Sequence, residues 1–95
     1  MNEEQLARNL QSVGMQVFVK HFDVFASNRS REDVIEVLRA STNYTEKSCV
    51  SRTGHARAIL AAGLGNQALN MVVSSDSSRI TEEIRALARE LANAL

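Results

Sequence analysis

An all-α domain is the fold class this sequence predicts, and three observations carry it. The chain has no proline and only 4% aromatic residues, while Ala, Leu, Glu and Arg are plentiful; these lose little freedom in a helix, whereas sheets favour β-branched and aromatic types. Apolar residues recur at spacings of three and four, the period of a helix face. Short polar residues that can cap a helix stand just before several of these runs. At 95 residues the chain predicts one domain, residues 1–95, able to bury on the order of 65% of its extended surface. The expected architecture is a compact bundle of about five helices around a central Phe-rich helix, the second and third joined by a tight turn.

Asn2 and Gln5 have the spacing of a reciprocal capping box, and Glu3 and Glu4 lie where the helix dipole favours acids. The first helix therefore starts at once, with Leu6, Leu10, Val13 and Val17 on one stripe that runs through Gly14, the expected place of a kink. From Met15 to Ala26 the three phenylalanines, Phe18, Phe22 and Phe25, share a stripe with Met15, while Val17 and Val24 extend the Leu6 stripe. Two apolar faces on one helix predict a central or shared position. His21 has no second ligand at matching spacing and reads as a structural histidine.

Ser30 with Asp33 starts a second, short helix, with Val34, Ile35, Val37 and Leu38 inward and Glu32, Glu36 and Arg39 outward. Asn43 with Glu46 has capping-box spacing and predicts a third helix from Tyr44 to Ala62. Its apolar side is Cys49, Ala56 and Leu60, with Arg52 and Ile59 at one margin and Thr53 at the other. Arg52 is expected to be partly buried, with Glu36 or Asp33 as possible ion-pair partners. Ser51, Gly54, Ala58 and Ala61 make the opposite side small enough for another backbone to approach.

Gly63 is a C-cap with Leu64 folding back, and a short fourth helix holds Ala68, Leu69, Met71, Val72 and Val73. Residues Ser74 to Ser78 form a polar loop. Thr81 caps the last helix, whose stripe is Ile80, Ile84, Leu87, Leu91 and Leu95, with Arg85, Arg89 and Glu90 outside.

Composition limits the function classes. The formal net charge is zero and the pI about 6.7, so whole-chain electrostatics favour neither nucleic acid nor anionic membrane. A single cysteine, Cys49, excludes an internal disulfide and fits a reducing compartment. No apolar run approaches the ~20 residues that span a bilayer. A cytoplasmic location with no membrane partner is expected.

No catalytic signature stands out. Cys49 and His55 are nearly two turns apart on one helix and cannot hydrogen-bond, and the Glu3–Glu4 and Glu82–Glu83 pairs are explained by helix N-termini. Gly63-Leu64-Gly65 lacks the strand, third glycine and lysine of a phosphate loop. A non-enzymatic protein without cofactor or metal is expected.

Two binding readings remain. The first is a small binding or regulatory module working through protein–protein contacts, as a homo-oligomer or with another protein, using Ser51, Gly54 and Ala58 with Phe18 and Phe25. The second starts from the interval Lys47 to Ser75, which has no acidic residue. In a helix-turn-helix reading, Ser48, Ser51, Arg52 and His55 would face the major groove of DNA, and Lys47 and Arg57 the phosphates. No register of the helix-turn-helix pattern along Glu32 to Arg52 places the small residue, the turn glycine and the apolar positions together.

Overall fold

Capping accounts for where most of the helices begin. The Asn2 side chain accepts from the Gln5 amide at 2.8 Å and the Gln5 side chain accepts from the Asn2 amide at 2.9 Å, so both orphan donors at this end are satisfied. The computed structural model describes residues 1–95 as seven helices with no strand: α1 (Glu3–Val13), α2 (Met15–Lys20), α3 (Phe22–Phe25), α4 (Arg31–Ser41), α5 (Glu46–Ala61), α6 (Gly65–Ser74) and α7 (Glu82–Ala94). Ser30 and Thr81 cap α4 and α7 through the amides of Asp33 and Ile84, each at 3.1 Å.

The helical class is as expected; the helix count is not. What reads in sequence as one helix from Asn2 to Ala26 is α1, α2 and α3. Gly14 is the first break, with φ +91° and ψ 124°, a backbone state that a Cβ disfavours. Its amide still bonds to Leu10 and its carbonyl accepts from Phe18, each at 2.9 Å, so one helix closes and the next opens through a single residue. A second interruption falls at His21 (φ −112°, ψ 19°).

The three phenylalanines nevertheless all lie in the buried core. Phe18 meets Phe22 edge-on at 5.5 Å and stacks on Phe25 at 6.4 Å, two arrangements that the ring quadrupoles favour. Burying one such side chain contributes about 1.5–3 kcal/mol. The element with most neighbours, however, is α5, which packs against α1, α3, α4 and α6. The bundle is therefore organised around α5, with Cys49, Thr53, Ala56 and Ile59 fully buried.

Helix α5 begins two residues later than the Asn43 capping box predicts. Thr45 accepts from the Ser48 amide at 3.1 Å and is the N-cap, while the Thr42 hydroxyl donates to Leu38 and accepts from the Tyr44 amide. At the other end, the Gly63 amide bonds to Leu60 and the Leu64 amide to Ile59, with Gly63 at φ +74°. This is a Schellman closure, in which glycine takes the left-handed position. It turns the chain directly into α6, which starts at Gly65.

Helix α7 buries Ile84 and Ala88 and half-buries Leu87 and Leu91, and Ile80 is buried just before its cap. Leu95, expected on the same stripe, is exposed. No helix is long and apolar enough to cross a membrane.

Candidate functional site

The basic residues singled out in sequence are held mostly by the protein itself. Arg52 donates from Nε to the Ser48 hydroxyl at 3.0 Å and from Nη1 to the Val13 carbonyl at 2.5 Å. Its guanidinium carbon also lies 3.9 Å from the centroid of the Tyr44 ring, a cation–π contact. Neither Glu36 nor Asp33 pairs with it; Glu36 pairs with Arg39 instead. Arg57 donates to the carbonyls of Ser27 and Arg29. His55 Nδ1 is 2.8 Å from Asn9 Oδ1; since Asn9 Nδ2 donates to the Gln5 carbonyl, Oδ1 is the acceptor and the histidine donates.

Arg52 and Arg85 stand at two helix ends that lack a basic residue of their own. The last turn of α1 has no basic residue, nor has that of α6, so neither offers its own cation to the negative end of the helix dipole. Arg52 supplies it for α1 across the fold. Arg85 does the same beyond α6, donating to the carbonyls of Ser75 and Ser77, each at 3.0 Å. Arg85 is thus an inward-facing clamp rather than the outer-face charge its sequence position suggests.

Of the six residues proposed for DNA, Lys47 and Ser51 are exposed, Ser48 half-buried, and Arg52, His55 and Arg57 have internal partners. Of the five proposed for protein contact, Ser51 and Ala58 are exposed, and Gly54 is partly covered, with a Cβ there meeting Arg31 Nη2 at 3.5 Å. Phe18 and Phe25 are sealed in the core, so a partner could reach them only by opening it. Both apolar faces of the Phe segment are absorbed within the single chain.

A groove of about 540 Å³ runs between α1, α2, the N-terminal side of α5 and the segment after α6. Met15, Val17, Met71 and Ile80 supply apolar lining, Tyr44 an aromatic wall, Gln11, Gln16, Ser75 and Ser77 neutral polar groups, and Arg52 and Arg79 the charge. None of the 13 lining residues is acidic. Arg52 and Arg79 form no ion pair with any carboxylate of the chain. Asp76, between Ser75 and Ser77, is exposed and is likewise unpaired. Gln16 donates through Nε2 to the Arg79 carbonyl, which ties the far wall to α2.

No family model matches this chain, and neither a curated protein nor a solved structure matches it.

No histidine, cysteine or carboxylate lines the groove, so its hydroxyls have no neighbouring base to activate them. Cys49 is buried, and no three His, Cys, Asp or Glu side chains converge on one point. His21 is held below its ordinary pKa of 6.5, first by burial and then by the Lys20 charge; it does not line the groove. Of the groove residues, sequence reasoning singled out only Arg52 as a candidate. Met15, Tyr44, Met71 and Arg79 lie far apart in the chain, and no local spacing links them.

Proposed function

We propose that this protein is a non-enzymatic binding module that works by protein–protein contact through the groove beside Arg52. The observation that carries this reading is the pairing of apolar lining with two arginines that have no carboxylate partner. A pocket that is mainly apolar with a few convergent polar groups is the usual form of a recognition site. Association with another protein fits better than a homo-oligomer through the Phe faces, because those faces are buried in the chain's own core. Protein contact also fits better than DNA, because His55 and Arg57 of the candidate DNA-facing set are bonded internally, and the groove beside Arg52 carries apolar lining that suits side chains rather than phosphates.

The test is site-specific photo-cross-linking in the cells that express the protein, with a photoreactive residue replacing Tyr44 and, as control, Ala61 on the outer side of α5. Adducts from Tyr44 that resist nuclease, yield to protease and are competed by unmodified protein are expected. Nuclease-sensitive adducts, or a rise in scattering mass with duplex DNA that collapses as salt is added, would favour the helix-turn-helix alternative instead.

A further inference from the structure

The groove's charge and lining specify what kind of segment it takes. We propose that it receives a short acidic, apolar stretch of a partner protein: one carboxylate held by Arg52 and Arg79, and an adjacent aliphatic side chain against Met15, Met71 and Ile80. This rests on the protein-binding reading above and gives it a ligand chemistry.

Charge complementarity is the first ground. Arg52 and Arg79 both line the same groove, no acidic residue lines it, and neither arginine pairs with a carboxylate elsewhere. Arg52 Nη2 has no protein acceptor, and the Arg79 side chain has none at all. Planar guanidinium donors match a carboxylate in geometry as well as in charge.

Preorganisation is the second. Arg52 is fixed on three sides by Ser48, the Val13 carbonyl and the Tyr44 ring, so binding would not have to freeze a mobile side chain. Methionine at two lining positions provides an adaptable apolar surface that suits an aliphatic anchor better than a rigid ring. A groove of about 540 Å³ has room for a few side chains and not for a folded domain, which points to a short segment.

The test uses the whole chain, isotope-labelled, titrated with an end-blocked peptide alternating leucine and glutamate and with its leucine–glutamine counterpart. The expected result is amide shifts at Gly14, Met15, Tyr44 and Ile80 with the glutamate peptide, and binding weaker by about tenfold or more with the glutamine peptide. Arg79→Gln should produce a similar loss. Its side chain has no internal partner, so the rest of its spectrum should match wild type and exclude unfolding as the cause. Equal binding of both peptides, wild-type affinity in Arg79→Gln, or no groove shifts at millimolar peptide would each overturn the proposal. Peptide shifts at another surface would remove this site while leaving a protein-binding module standing; nuclease-sensitive cross-links from Tyr44 would remove that broader reading.

Discussion

Arg52 Nη1 donates to the carbonyl of Val13 at 2.5 Å across 39 positions of sequence, so the last turn of α1 is closed by a side chain from α5. A hydrogen bond from a charged donor contributes about 1.5–3 kcal/mol, and this one also meets the negative end of a helix. Arg52→Met is expected to lower the melting temperature by roughly 10 °C, at about 4–8 °C per kcal/mol for a domain of this size. Arg52→Lys should fall between, keeping the charge but losing the planar fork and the stack on Tyr44. A melting temperature within two or so degrees of wild type for Arg52→Met would show that water caps α1 equally well.

Gly14 answers to the same contact. A Cβ at this position would sit 2.9 Å from Arg52 Nη1, on a backbone at φ +91°. Gly14→Ala should destabilise by about 1–3 kcal/mol from the backbone alone, with a steric contribution added. Combining it with Arg52→Met should cost less than the sum of the two, because the clash disappears with the guanidinium while the backbone strain stays. Strict additivity in chemical denaturation would mean the two residues do not touch.

Thr53 offers the opposite sign. It is fully buried in α5 and its hydroxyl has no hydrogen-bond partner. An unsatisfied buried hydroxyl costs about 1–3 kcal/mol, and an isosteric apolar replacement removes that cost. Thr53→Val should raise stability by about 1 kcal/mol in urea unfolding; a loss instead would place an acceptor within reach of Oγ1.

The small-residue strip on α5 can be probed at Gly54. A Cβ there makes ordinary contact with Arg31 at 3.5 Å, and alanine is favoured over glycine in a helix by about 1 kcal/mol. Gly54→Ala is expected to be stabilising. Gly54→Leu should displace only the exposed Arg31 side chain and leave the scattering mass unchanged. A concentration-dependent mass in wild type that the leucine variant abolishes would instead establish a second chain on this strip.

His21 sets a pH dependence. Its folded pKa lies below the ordinary 6.5, through burial first and Lys20 second, so between those two values the unfolded chain binds more protons than the folded one. The contribution to stability is therefore fully present above pH 6.5 and is lost as pH falls through the lowered folded value. His21→Gln should flatten that part of the stability curve, and Lys20→Gln should flatten it partially. An unchanged slope in His21→Gln would assign it to carboxylates.

The sequence by itself determined the helical class, most helix starts and the Gly63 closure, because each depends on residues within one or two turns of each other. Asn2 with Gln5, Ser30 with Asp33 and Thr81 with Ile84 are local contacts that any surroundings would preserve. Gly14 was legible as the place of a kink, but not as the point where the helix ends and restarts in a new direction. The apolar period of Leu6, Leu10, Val13 and Val17 passes through it unchanged, and the new chain direction belongs with the placement of α5 and Arg52 against it. Asn43 has capping-box spacing to Glu46, but the cap that forms is Thr45, while Thr42 takes up the turn before it. The groove was decided only by tertiary structure. Met15, Tyr44, Met71 and Arg79 come from separate segments, and the two arginines matter there because packing gathered apolar surface beside them and brought no carboxylate. Periodicity records which face of a helix avoids water; it carries no information about which distant residues meet across the faces that remain.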